Sequence, residues 1–350
     1  MRTTNMITCL ILIITCVSCD SEEYRFTTHI NRDGSCIREI VTPNADSAFL
    51  AGDMSHNPFP YELTPDWKME VKDTININSK QKTNVKISKK FNSVDELSTG
   101  LRTDKFILHP KETLKKQFRW FYTYYTFNAV YPEVAYKGNI PMDEYLNETE
   151  QKFIFQGDMS GYKGMSGWEL KDKLDDIGNK YLEWYNRTMY NEYFEAITYY
   201  AGLTGNKYHS QLSDIKDTLF TINEKLILKL ELSDMDRSIC DMLDDYFSIE
   251  MFSYLYHDKG GDIGDMVGNK INFQQYTIEI QYELSMPGKI LFTNTELREN
   301  NLLSWKVDAY RTLVGDYTLV AESRAVNIWA FIVVLLLITF TIFCFRVRFR

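Results

Sequence analysis

Tyr276-Thr277-Ile278-Glu279-Ile280-Gln281-Tyr282-Glu283-Leu284 alternates apolar and polar residues without a break. A period of two puts Tyr276, Ile278, Ile280, Tyr282 and Leu284 on one face and the polar residues on the other, which predicts an antiparallel strand half in a core and half in water. Pro287-Gly288 ends it as a turn. Three further strands are predicted over Lys289 to Thr293, Leu302 to Ala309 and Asp316 to Glu322, with Leu303, Trp305 and Val307 sharing a face.

The same period opens the chain. Tyr24 to Ile30 and Ser35 to Thr42 are β-prone runs flanking Asn31-Arg32-Asp33-Gly34, and Asp-Gly between such runs signals a hairpin. Pro43, Pro58, Pro60 and Pro65 then make residues 43–65 a long irregular loop. Strands are expected at Lys68 to Asn78 and Thr83 to Phe91, followed by a short helix that starts at a capping box of Ser93 and Glu96. Gln117 to Tyr131 reads as one long strand, crowded with aromatic residues from Phe118 to Phe127 and covered on both faces.

Between these arms, Met142 to Asp265 changes period. Ser166 and Glu169 form a capping box ahead of Leu170, Leu174, Ile177, Tyr181, Trp184 and Thr188, one face of a helix. Leu212, Ile215, Leu219, Ile222 and Leu226 mark a second helix, and Ile239, Met242, Leu243, Tyr246 and Ile249 a third. This segment holds 25 acidic against 12 basic residues, so the acidity of the whole chain resides in it. The fold class that results is α+β: an antiparallel sheet domain (20–141 and 266–326) interrupted by an acidic helical insert (142–265), with one C-terminal transmembrane helix (327–345) and a basic tail (346–350).

The 350 residues are 44% hydrophobic and 25% charged, a globular composition that excludes disordered and collagen-like chains. With 39 basic against 48 acidic residues the net charge is −9, and the basic footprint of a nucleic-acid binder is absent.

Both ends carry membrane signals. Asn327 to Phe345 contains no charge and is long enough to span a bilayer. Arg346, Arg348 and Arg350 follow it, so the positive-inside bias places the C-terminus in the cytoplasm and the body outside. Trp329 suits an interfacial anchor. At the other end, the apolar run from Met6 to Val17 has the length of a secretory signal peptide. It closes in Cys16-Val17-Ser18-Cys19, which resembles the lipobox of bacterial lipoproteins and makes Cys19 the candidate for lipidation. Cys16 stands where such sequences carry Leu, so ordinary cleavage and an uncleaved anchor stay open as alternatives. Together the two ends place the protein in a bacterial inner membrane with its body in the periplasm; surface export is the alternative.

The early strand pair around Asp33-Gly34, the late block Met286-Pro287-Gly288-Lys289-Ile290 followed by Asn294 and Trp305, and the terminal membrane helix resemble the LppM-domain lipoproteins of the cell envelope. The resemblance covers roughly residues 20–90 and 270–345. It implies a membrane-tethered α+β domain with a lipid-binding cavity, and it carries no catalytic residues.

Motifs for chemistry are few. His29, His56, His109, His209 and His257 are scattered without a zinc-site spacing, and no metal or cofactor is expected. Asp258, Asp262 and Asp265 lie in a Gly-rich stretch that departs from calcium-loop spacing and reads as a solvated connection. Residues 157–164 are Gly-rich without the ending of a P-loop. Cys36 and Cys240 are the two exported cysteines besides Cys19, and their pairing is left open. The functional expectation is therefore a non-enzymatic, membrane-tethered protein that binds a lipid or another apolar ligand, with Trp120, Tyr122, Tyr124 and Trp305 as candidate wall residues. The alternative is a scaffold whose acidic insert docks a basic protein partner.

Overall fold

The computed structural model describes residues 22–77, 80–101, 108–134, 138–230, 234–271 and 278–348. The expected signal segment and Cys19 lie outside the described residues. The chain forms two compact units, a β unit (Ser18–Val134 and Thr277–Arg350) and a helical unit within Ala135–Tyr276.

The strands of the β unit are β1 (Glu22–Ile30), β2 (Cys36–Ala45), β3 (Lys68–Ile77), β4 (Lys80–Phe91), β5 (Lys111–Arg119), β6 (Tyr122–Tyr131), β7 (Ile278–Ser285), β8 (Lys289–Thr293), β9 (Arg298–Glu299), β10 (Leu302–Asp308) and β11 (Tyr317–Val326). They make a seven-stranded sheet, ordered β3-β4-β2-β1-β7-β10-β9, and a four-stranded sheet, ordered β5-β6-β11-β8. The sheets meet face to face, with the Phe127 and Tyr282 rings 6.2 Å apart. The expected hairpin forms: Ile30 pairs with Cys36, and Gly34 takes φ +98° in the turn. The expected alternation of β7 holds too, with Ile280, Tyr282 and Leu284 buried. Leu303, Trp305 and Val307 of β10 are buried beside them.

Three expectations are corrected here. First, β7 runs antiparallel to β10 but parallel to β1, Phe26 pairing with Tyr282, so the larger sheet is mixed. Parallel neighbours need a long connection, and the chain between these strands supplies one. Second, the single aromatic strand is a hairpin: β5 and β6 flank the two-residue turn Trp120-Phe121, with Arg119 paired to Tyr122. Neither turn residue has the positive φ that tight hairpins usually employ, and no Gly, Asn or Pro marks the turn. Third, residues 43–65 include two short helical turns, α1 (Ser47–Leu50), capped by Asp46, and the 3-10 turn Met54–His56.

The short helix α2 (Val94–Gly100) begins at Ser93, whose Oγ accepts from the Glu96 amide at 3.0 Å. The Glu96 carboxylate reaches the Asn92 amide at 2.7 Å, one residue short of a closed capping box.

The helical unit contains α3 (Glu148–Gln151), α4 (Gly167–Leu203), α5 (His209–Ile227), α6 (Met235–Phe247) and α7 (Met251–Ile271). The Ser166–Glu169 capping box forms as expected, and α4 runs on for 37 residues. Tyr190, Phe194, Ile197, Leu212, Leu219, Ile239, Leu243, Phe252 and Ile263 interlock as the core of this unit. Ile222 and Leu226, expected on the packed face of α5, are exposed. Ile249 lies past the end of α6, because Ser248 adopts φ +54° and breaks the helix.

The Gly-rich connection expected around Asp258 is instead the middle of α7. Asp244 accepts from the amides of Phe252 and Ser253, both at 2.8 Å, and so caps the start of that helix. Packing by Phe252, Leu255, Ile263 and Val267 then outweighs the cost of glycine, roughly 1 kcal/mol per residue in a helix interior. Asp258 and Asp262 pair with Lys259. No cluster of three His, Cys, Asp or Glu suited to a metal exists among the described residues. Cys36 and Cys240 are both free and buried.

The last helix, α8 (Ile328–Arg348), has 21 residues and is long and apolar enough to cross a membrane. Just before β8, Gly288 has φ +82°, and a Cβ there would collide with the Arg324 carbonyl oxygen on β11. Gly52, at φ +100°, faces open space. Gly52→Ala should therefore lose only backbone strain, roughly 1–2 kcal/mol, while Gly288→Ala loses clearly more. Urea unfolding of the detergent-solubilised chain measures the difference; equal losses would show that the β8–β11 contact yields without cost.

Candidate functional site: a cavity over a buried ion pair

The alternation of β2 turns Cys36, Arg38, Ile40 and Thr42 inward, so a guanidinium enters a core between apolar neighbours. From the opposite sheet, β5 sends in Glu112, and both groups are almost wholly buried. A single Arg38 nitrogen, Nη2, donates to both Glu112 oxygens, at 2.6 and 2.7 Å. The Tyr282 hydroxyl also donates to Glu112 and stands 3.0 Å from Thr28 Oγ1. The Arg38 guanidinium lies over the rings of Phe26 and Tyr282, 5.6 and 5.2 Å from their centroids.

Taking a guanidinium and a carboxylate out of water costs several kcal/mol each, which only a well-made pair repays. Burial works against the Arg38 charge, but the adjacent Glu112 outweighs it and holds the guanidinium protonated. Burial, reinforced by Glu112, pushes the Tyr282 phenol well up, so it stays neutral and able to donate. Tyr131, also buried between the sheets, is raised for the same first reason.

The network is not fully closed. Among the described residues, Arg38 Nε and the Tyr131 hydroxyl are buried without a hydrogen-bond partner. Beside Arg38 and Glu112 opens a cavity of about 360 Å³. Its walls come from Tyr61, Leu97, Leu101 and Val130, and its polar border from His109, Lys111 and Asp316. The volume is at the lower end of the roughly 300–1,000 Å³ that small-molecule sites occupy. The α2 helix builds one wall and is tied in by Ser98, whose Oγ accepts from the Glu112 amide at 2.9 Å.

None of the four wall residues expected from sequence lines this cavity. Trp305 is buried core: it lies edge-on to Tyr282 and its Nε1 donates to Asn294 Oδ1 at 3.0 Å. Tyr124 is half-buried on the outward face of β6. Trp120 and Tyr122 sit at the end of the four-stranded sheet, where Trp120 meets Trp329 and Tyr122 meets Phe331. Arg38 and Glu112 do not stand out in the sequence because each has a charged neighbour, Glu39 and Lys111, and they lie 74 positions apart. The one usable signal was the alternation around Cys36 and Ile40, which points residue 38 inward.

Comparison of the chain with protein-family models, with curated proteins and with solved structures returns no match.

Cys36 shares the inward face with Arg38, and burial pushes its thiol up to about 12. Because the thiolate is the reactive form, Cys36 should resist iodoacetamide at pH 8 in the folded chain and react readily in urea. Peptide mass spectrometry reads the modification; rapid alkylation of the folded chain would show that the sandwich opens at β2.

Proposed function

We propose that this chain is a membrane-tethered, non-enzymatic protein of a bacterial cell envelope whose β unit holds a small apolar or amphiphilic ligand, such as a lipid fragment. The observation that carries this reading is the cavity itself: a largely apolar wall ending on a buried guanidinium whose charge Glu112 already balances. Such a floor offers the charge-balanced Arg38–Glu112 pair as the polar end for a neutral or weakly polar ligand group. The apolar wall takes the rest. Glu112 is occupied by Arg38 and Tyr282, which fits gripping better than proton transfer.

The tether is α8, with Arg346 and Arg348 in its last turn for the cytoplasmic side and the body in the periplasm. Lipidation at Cys19 would add a second anchor on the outer face of the same inner membrane. The resemblance of the late Pro287-Gly288 block to LppM-domain lipoproteins points to the same class. A second reading, a scaffold that docks a basic protein through the helical unit, is favoured by one observation: Ile222 and Leu226 stand exposed on α5 within the acidic segment.

Mass spectrometry of the purified full chain should detect an amphiphile bound near one per chain. Val130→Trp, which fills the cavity, should lower its occupancy about tenfold or more without unfolding the protein. A ligand-free wild-type chain, or undiminished occupancy in Val130→Trp, would overturn the ligand reading. Partner crosslinks that vanish in high salt would favour the scaffold.

A further inference from the structure

The turn Trp120-Phe121 is bound to the start of α8 by one residue. Asn327 donates its backbone N–H to the Phe121 carbonyl at 2.9 Å and its side-chain Nδ2 to the Trp120 carbonyl at 3.0 Å. Its Oδ1 accepts from Thr123 Oγ1 at 3.0 Å. A turn whose residues lack the usual positive φ is thus held by the linker to a membrane-length helix.

Aromatic rings surround this joint. Phe118 stacks on Trp329 with centroids 6.0 Å apart, Trp120 meets the same indole edge-on at 5.5 Å, and Phe121 lies 4.8 Å from Phe331. Ala330 is fully buried here. Phe118, Trp120, Trp329 and Phe331 nevertheless remain about half exposed, at 56%, 48%, 49% and 45%. Rings this large, clustered and still open to solvent, are costly in water; Trp settles at a membrane–water boundary and Phe just inside it.

The depth can be read from the helix. Its 21 residues reach about 31 Å at 1.5 Å per residue, close to the hydrocarbon thickness, so nearly all of it is needed to cross. Trp329 and Phe331 then lie in the outermost turn, and the hairpin tip that touches them lies at the same level. The strand register brings basic residues to this end of the sheet: Arg119 beside the turn, and Arg324 opposite Lys289. Arg324 is held over the Tyr122 ring at 4.4 Å. Cations at headgroup height with apolar rings below them match an anionic lipid surface.

The geometry points to the β5–β6 hairpin tip as a second membrane contact, an interfacial wedge that seats the β unit against anionic headgroups. This rests on the reading that α8 spans the bilayer, and it adds that the sheet is docked on the membrane instead of swinging from the helix.

The test places a benzophenone-bearing phenylalanine at position 120, 133 or 335 of the full chain, reconstituted in 3:1 phosphatidylcholine–phosphatidylglycerol vesicles and irradiated. Positions 120 and 335 should form lipid adducts and position 133, at the far end of β6, none. Adducts at 120 should favour phosphatidylglycerol at least twofold over its share, and Arg119→Gln with Lys289→Gln should abolish that preference. Adducts at 335 without any at 120 would overturn the wedge while leaving the span intact. No adducts at 335 would overturn the span itself. A crosslink from 120 to a second copy of the chain would replace the wedge with self-association, and unbiased adducts at 120 would overturn the anionic preference.

Discussion

The β unit depends on one interaction, the ion pair between Arg38 and Glu112. It joins the two sheets by charge-assisted hydrogen bonds, and both side chains are almost wholly buried, with the Arg38 guanidinium over two aromatic rings. In such surroundings neither partner is tolerable alone. The pair therefore specifies which strand faces which: β2 cannot slip by one residue against its neighbours without turning Arg38 to solvent and stranding Glu112. Tyr282 ties β7, the strand entering after the helical segment, into the same knot. The cavity opens beside the same pair, which lines it together with Tyr61, Leu97, Leu101 and Val130.

Much of the fold was legible because it rests on periodicity. The alternation from Ile278 to Leu284, the Asp33-Gly34 turn and most of the stripes of α4 and α6 state their geometry locally, although Leu174 and Tyr246 of those stripes stand exposed. Where the reading failed, the deciding interaction came from far along the chain. The Trp120-Phe121 turn has no turn residue of its own, because Asn327, some 200 positions later, holds both of its carbonyls. The glycines of α7 signalled a loop, yet capping by Asp244 and packing of Phe252 and Ile263 keep the segment helical. The site was less legible still. Aromatic abundance drew attention to Trp120, Tyr122, Tyr124 and Trp305, whereas the cavity lies beside two charged residues 74 positions apart, of which only Arg38 is marked by its strand's alternation.

The aromatic residues have found two physical uses. Phe26, Phe127 and Tyr282 supply ring faces and a hydroxyl that make a buried charge tolerable. Phe118, Trp120 and Phe121 gather at the mouth of α8, where half-exposed rings suit an interface between water and lipid. Phe127 of the first group and all of the second lie on the β5–β6 hairpin, which also carries the cavity wall at Val130 and Glu112 of the ion pair. The proposed ligand site and the proposed membrane seat thus share one hairpin, which would let the membrane fix the orientation in which the cavity is presented.

The central claim is that the Arg38–Glu112 pair holds the sandwich together, and a double-mutant cycle tests it most directly. Arg38→Met, Glu112→Leu and the double variant would be compared by urea unfolding of the solubilised full chain. The account predicts that each single variant loses about 3–5 kcal/mol, because it strands a buried charge, and that the double variant loses far less than their sum. Small, additive losses of under about 1 kcal/mol each would place both groups in water and contradict the account.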